Sequence, residues 1–245
     1  MADLENVYVI LVEPMGEFNV GLAARAVKNF GAAGLRFVRA PLSLAASSLR
    51  YSSRGRELLL RASFFASLQD AIEDLDYSVA TTARTGGKRD ILRQTYRPAS
   101  ILPLINSGKK LGLVFGREDR GLTNDELKLC DLAVTIEASE DYPVFNLSHA
   151  VAVLLYYLFT NSQPERRAEK RDLSRLRGVL LDQFDQLMQL SGYPERKREE
   201  AWLTLRRIIV RANPEEWELS FMAGTLRYAN RALSAEHHPN EGNSG

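Results

Sequence analysis

The residues best suited to chemistry in this 245-residue chain lie where apolar runs stop. LVFGREDRGLTNDEL, residues 113–127, runs into Gly116 and then sets Arg117, Glu118, Asp119 and Arg120 in a row before Gly121. Glycine lets a backbone turn sharply or lie against a ligand, and a glutamate between glycines can tie a loop by accepting N–H groups. A second stretch, EPMGEFNVGLAARAVKNF, sets Asn19 and Gly21 ahead of Arg25. Asn19 reads equally well as a helix N-cap and Gly21 as a packing glycine. Arg25 lies among alanines, where a long cation costs desolvation unless it faces an anion or a ligand. In VATTARTGGKRD, the small residues Thr81, Thr82 and Ala83 precede Arg84 and a loop carrying Lys88 and Arg89. Last, EDYPVFNLSHAVAVLLYYL opens an apolar helix near Asn146.

Several chemistries are excluded by what is missing. One cysteine, Cys130, and three histidines, His149, His237 and His238, are too few for a zinc site. Cys130 lies in KLCDLAV, between helix-like and strand-like segments, as a buried structural cysteine does. Ser148 and His149 are adjacent, so on one helix they point in different directions, and no G-x-S-x-G elbow occurs. The first strand lacks the dinucleotide glycines and no phosphate-binding P-loop is present. GAAG, from Gly31, reads instead as a helix stop with a left-handed cap.

Net charge is only +1, but the charges segregate. From Arg25 to Arg61 eight basic residues face one acid, Glu57, and from Arg84 to Arg97 five face Asp90. Such patterning suits a surface that meets phosphates, and solvated charge runs produce it as well.

These loops need a scaffold. Strand-like runs VYVILVE, LRFVRA, YSVATTA, LGLVFG and LAVTIEA alternate with helix-like NVGLAARAVKNF, RGRELLLRASF with SLQDAIEDL, RPASILPLI, TNDELKL and a segment from Asn146 to Thr160. Alternation, with strands apolar on both faces, predicts an α/β domain over residues 1–160: a parallel sheet with helices on both faces. A charged linker is expected over 161–172, followed by a small all-α extension over 173–235 and a disordered tail over 236–245. Asn213, Pro214 and Glu216 read as the start of the last helix. The longest apolar run, from Ala150, is too short to cross a bilayer, and MADLENVY lacks the pattern of a leader peptide, so no membrane association and a cytoplasmic location are expected.

Taken in order, N-x-G-x-x-x-R, LVFGREDRGL and FNLSHAVAV resemble the three motifs of the SPOUT RNA 2′-O-methyltransferases, and most closely the TrmJ-type tRNA (cytidine/uridine-2′-O-)-methyltransferases. The resemblance spans nearly all of residues 6–160. It implies a C-terminal trefoil knot within the α/β domain, a homodimer and S-adenosylmethionine bent in the knot; the shortage of cysteine and histidine noted above leads to the expectation of no metal. The matching cofactor positions are Thr81, Thr82, Ala83, Gly116, Ile136, Pro143, Val144, Phe145, Asn146 and Leu147, although Ile136 is also an ordinary strand residue. Arg25, Asn146 and Ser148 match or replace catalytic positions. The family's serine two places before the asparagine is Val144 here, which leaves Ser148, Tyr142 or backbone to take its role. The implied substrate is the ribose of tRNA nucleotide 32, a cytidine or a uridine, with ribosomal RNA methylation or non-catalytic RNA binding as alternatives. Asn19, Arg36, Arg39, Arg54, Arg56, Arg84, Lys88 and Arg89 are the candidate RNA contacts.

Overall fold

A computed structural model describes residues 4–84, 94–162 and 173–237. The chain divides into two compact units, Met1–Lys170 and Arg171–Gly245. Lys88, Arg89 and most of the expected linker and tail lie outside the described residues.

The first unit holds β1 (Val7–Val12), α1 (Glu17–Asn29), β2 (Gly34–Val38), α2 (Leu42–Ser52), α3 (Arg56–Leu60), β3 (Ser63–Phe65), α4 (Leu68–Ile72) and β4 (Tyr77–Thr81). It continues with α5 (Leu102–Asn106), β5 (Leu111–Phe115), α6 (Asn124–Leu129), β6 (Leu132–Val134) and α7 (Leu147–Asn161). Six parallel strands form one sheet in the order β3-β2-β1-β5-β4-β6. Ile10, Val12 and Val114 share a buried cluster with Leu68, Ala71 and Leu127 of α4 and α6. Alternate residues Val9, Leu11 and Leu113 point the other way and are also fully buried, so both faces of the sheet are covered. Cys130 belongs to the first of these clusters and is a packing residue.

Two features set up the loops. The chain passes from β4 inward to β5, then jumps back over β4 to the edge strand β6. From there α7 returns to pack on α1, where Phe30 meets Tyr156 and Phe159 at centroid distances of 6.2 and 5.6 Å. The ends of β1, β4, β5 and β6 therefore open toward the start of α7, and the path is compatible with the threading implied by the resemblance. Several expectations need correction. The segment LAVTIEA leaves the sheet after Val134, so Ile136 is a loop residue. The elements α2 and β3 were not anticipated from the sequence. Asn19 lies inside α1, whose N-cap is Gly16. Asn213 is the left-handed cap that ends a helix, at φ 43°, and does not begin the next one.

The second unit is three helices, α8 (Ser174–Leu190), α9 (Arg198–Ala212) and α10 (Glu216–His237). Leu180 and Leu181 of α8 pack with Ile209, Leu219 and Ala223. Asn230 locks the α8–α10 contact by donating to the Gln183 carbonyl at 2.9 Å.

Candidate functional site

Three strand exits and the start of α7 enclose one cavity. Its wall includes Thr81, Thr82, Ala83 and Arg84 after β4, Gly116 to Leu122 after β5, and Ile136 after β6. Pro143, Val144, Phe145 and Leu147 close it from the α7 side. Every residue expected at the cofactor except Asn146 lines this cavity, and Phe115, Leu122 and Ala150, inside the motifs but not among the expected cofactor residues, add apolar wall. Thr81 and Thr82 are occupied locally: Thr81 Oγ1 donates to the Val114 carbonyl at 3.0 Å, and Thr82 Oγ1 accepts from the Arg84 amide at 3.1 Å. The slot thus offers apolar side chains and loop backbone, the surroundings an adenosine needs.

Gly116 acts differently from expectation. A Cβ there would lie 2.3 Å from the Gly121 carbonyl carbon and 2.4 Å from the Leu122 nitrogen. The glycine is needed so that the loop can fold back on itself; Gly121, at φ 72°, makes the turn and donates to the Arg117 carbonyl at 2.9 Å.

Glu118 ties this loop to the one after β1. Its carboxylate accepts from the Met15 amide at 3.0 Å, the Gly16 amide at 3.2 Å and Asn19 Nδ2 at 3.0 Å. Asn19 Oδ1 in turn accepts from Asn146 Nδ2 at 2.9 Å, and Asn146 Oδ1 accepts from the Ser148 amide and hydroxyl at 3.0 and 2.8 Å. Four side chains from three distant segments so form one chain, Glu118–Asn19–Asn146–Ser148. Ser148 is 3% exposed and lines no described cavity. Its hydroxyl is turned to the Asn146 amide and not to a cavity.

Behind the loop, Arg117 is clamped by two acids. Its guanidinium donates to Glu13 at 2.6 Å and to Glu126 at 2.9 Å, and Arg39 donates to both of the same carboxylates. Hydrogen bonding from Arg117 outweighs burial and holds the Glu13 carboxyl at about 2. Burial pushes Glu126 up, yet Arg117 and the Thr123 amide leave it below the ordinary carboxylate range. Glu126 also forms a capping box with Thr123 at α6, legible in the spacing TNDE. Glu13 and Arg39 are non-glycine residues at φ 44° and 50°, directly after β1 and β2. The ion cluster is what makes their side chains worth that strain.

The expected RNA contacts divide. Arg36 is 6% exposed, lies 4.3 Å over the Tyr8 ring and donates to Asp74 at 2.9 Å and to the Ala71 carbonyl at 2.7 Å. Its contact with phosphate is corrected to a structural one, because a paired, buried guanidinium cannot reach a ligand. Arg39 pairs with Glu13 and Glu126 but stays exposed at its side chain. Asn19 is engaged in the polar chain. Arg54 and Arg56 are exposed, and Gly55 between them packs on Ala24 and Arg25, a Cβ there falling 2.6 Å from the Ala24 carbonyl. Arg25 is itself exposed and lines no described cavity. It stands exposed on a helix whose neighbours Val20, Gly21, Ala23, Ala24, Ala26 and Val27 are all buried. No desolvation has to be offset there, contrary to expectation. Among the described residues Arg25, Arg54 and Arg56 form no ion pair, so the contact of α1 with Gly55 gathers three open cations.

A second cavity adjoins the first and shares Glu118, Val144, Phe145 and Leu147 with it. Asn19, Tyr142, Asn146 and His149 complete it. Among the described residues no group of histidine, cysteine and acid side chains is placed to hold a metal, and no helix is long and apolar enough to cross a membrane.

A parallel six-stranded sheet with this loop cluster defines a class, and residues 6–156 match the SpoU rRNA Methylase family. The chain belongs to that family. It is 37% identical over 223 residues to the tRNA (cytidine-2′-O-)-methyltransferase TrmJ of Methanocaldococcus jannaschii, with 86% of this chain and 95% of that one covered. It is 30% identical to the tRNA (cytidine/uridine-2′-O-)-methyltransferase TrmJ of Citrobacter koseri, with 91% and 96% covered. The structure of a probable methylase family protein from Haemophilus influenzae superposes with a TM-score of 0.66 at 28% identity, over 95% of this chain and 99% of that one.

Proposed function

We propose that the protein methylates a ribose 2′-hydroxyl of tRNA, using S-adenosylmethionine, at nucleotide 32 of the anticodon loop, a cytidine or a uridine. The observation that carries this is the meeting of the loops after β4, β5 and β6 with the start of α7 in one cavity, at whose rim Glu118, Asn19 and Asn146 are hydrogen-bonded in series. Likeness to relatives named as tRNA 2′-O-methyltransferases over nine-tenths of the chain supports the substrate class.

Thr82, Ala83, Gly116, Ile136, Pro143, Phe145 and Leu147 would hold the methyl donor, with apolar side chains around the adenine and loop backbone at its polar edges. When bound, it supplies an electrophilic methyl group on a sulfonium. The protein's part is alignment, which in reactions of this kind is worth several kcal/mol. Anticodon-loop riboses suit it because single-stranded loops expose their 2′-hydroxyls. Arg25, with Arg54 and Arg56 beside it, binds the phosphate next to the target ribose. Met15, Phe18, Val144, Val153 and Tyr156 are exposed apolar residues on the α1 and α7 side, a surface suited to a second copy. In such a homodimer, Arg25 of one subunit completes the other's site. The helical unit holds the tRNA body or the dimer, the knot gives the cavity its rigidity, and the enzyme works in the cytoplasm.

The test is incubation with labelled S-adenosylmethionine and, in parallel, unmodified tRNA or ribosomal RNA, followed by mapping of the modified nucleotide. Label at the 2′-oxygen of tRNA nucleotide 32 is expected; label in ribosomal RNA alone, or none with either, overturns the proposal. Arg25→Ala is expected to lower turnover about a hundredfold while calorimetry shows methyl-donor binding intact. Turnover near that of the wild type would remove Arg25 from the site.

A further inference from the structure

The transfer needs a group to take the hydroxyl proton, and the structure points to one inside FNLSHAVAV that was not among the expected site residues. The second cavity lies against the methyl-donor cavity and shares four residues with it, so a ribose placed there is next to the methyl group. Its polar lining consists of Asn19, Glu118, Tyr142, Asn146 and His149.

Four of these five are unsuited to accept a proton. Both Glu118 oxygens already accept hydrogen bonds, from the Met15 and Gly16 amides and Asn19. Asn19 and Asn146 are amides without basicity, each committed to its neighbour. Tyr142 is 78% exposed, and its phenol already carries a proton of its own to donate. Val144 replaces a hydroxyl, Ser148 is buried beneath Asn146, and Arg25, from either subunit, carries a guanidinium, a donor-only cation suited to a phosphate and not to taking a proton. His149 remains. It is the one histidine of this chain outside the C-terminal residues 237 and 238, it is exposed to the cavity from the first turn of α7, and imidazole is the side chain that changes charge between about pH 5 and 8.

We propose that the second cavity is the acceptor-ribose subsite and that His149 is the catalytic base. The ribose 2′-oxygen forms its bond to the methyl carbon as the carbon–sulfur bond breaks. The sulfur keeps the electron pair and becomes a neutral thioether, and the hydroxyl proton passes to His149 and then to water. Asn146, fixed by Asn19 and Ser148, orients the ribose. The titratable groups facing His149 across the cavity are Glu118, from the loop after β5, and Tyr142, from the segment before α7; α1 contributes only the uncharged Asn19.

This rests on the methyl-transfer reading, and the test separates the two. With wild-type protein and tRNA, kcat/KM is measured across pH 5–9 for the wild type and for His149→Gln, an exposed position where glutamine keeps the helix. The expectation is a loss of 10²- to 10⁴-fold, disappearance of the acid limb of the profile, and partial rescue of His149→Ala by added imidazole. Calorimetric affinity for S-adenosylmethionine stays unchanged. A readout independent of turnover is the imidazole NMR signal of His149, which shifts on binding an anticodon-loop RNA with the target 2′-hydroxyl and not with the 2′-deoxy analogue. A His149→Gln enzyme with the wild-type rate and acid limb, or an imidazole signal blind to the 2′-hydroxyl, overturns the assignment while leaving methyl transfer standing. Absence of methylation by the wild type overturns the functional reading itself.

Discussion

Arg117 and Arg25 belong to two motifs of one family and behave in opposite ways. Arg117 is 4% exposed at its side chain and held by Glu13 and Glu126, so it fixes the loop that carries Glu118. Arg25 is solvated and open, so it is free to meet a phosphate. Breaking a buried pair leaves an uncompensated charge and is costly, which makes the first cluster testable through pH. The Glu13 carboxyl is lowered from 4.5 to about 2 by the Arg117 hydrogen bonds. A depressed carboxylate adds stability that is complete above the unfolded value and is lost as pH falls through the folded one. The window is therefore about pH 4.5 down to 2, and the amount about 2–3 kcal/mol. Glu13→Gln is expected to lower Tm at pH 7 and to flatten the fall of Tm across that window. A variant whose acid melting curve parallels the wild type would separate Glu13 from the stability of the loop.

At the level of elements, the loop after β5 is rigid because its turn closes on its own backbone. Gly116→Ala places a methyl within 2.3 Å of the Gly121 carbonyl carbon, and main chain cannot step aside as the end of a side chain does. A loss of about 2 kcal/mol in stability is expected, with methyl-donor affinity down at least tenfold by calorimetry; unchanged affinity would show that this loop does not shape the cavity. Gly116 was legible in the sequence as a special position, but its reason was not, since the close partner is five residues along the same loop. The central strands were legible because Val9, Ile10, Leu113 and Val114 are buried on both faces. β3, three residues at the sheet edge with a partly exposed face, gave no such signal, and α2 is masked by its serines. Arg25 was misjudged for a similar reason. AARAV shows small neighbours but not which of them face the core, and only the packing of α1 on Gly55 and α7 decides that. The Glu118–Asn19–Asn146 chain joins residues about a hundred positions apart, which spacing along the chain cannot report.

For the molecule as a whole, a net charge of +1 leaves no general attraction for RNA, so affinity must come from where the charges are left open. Arg36 and Arg117 are spent on Asp74, Glu13 and Glu126 inside the first unit, and the more exposed Arg39 is paired with Glu13 and Glu126. Lys28 and Arg50 pair at the surface with Glu57 and Glu17. What remains around α1 is the group Arg25, Arg54 and Arg56. Each phosphate that a cation neutralises on a single strand adds about 0.7 to the slope of log affinity against log salt. Arg54→Ala combined with Arg56→Ala is therefore expected to flatten that slope for unmodified tRNA by roughly 1.4. The same double change made at Arg36 and Arg39 would instead lower Tm, because those guanidiniums answer carboxylates of their own chain. Salt titrations by filter binding or anisotropy, set beside thermal melts of both double variants, read the two outcomes separately. If the Arg54 and Arg56 changes leave the slope as it was, the RNA approaches from another side, and Arg25 loses its neighbours as partners in phosphate binding.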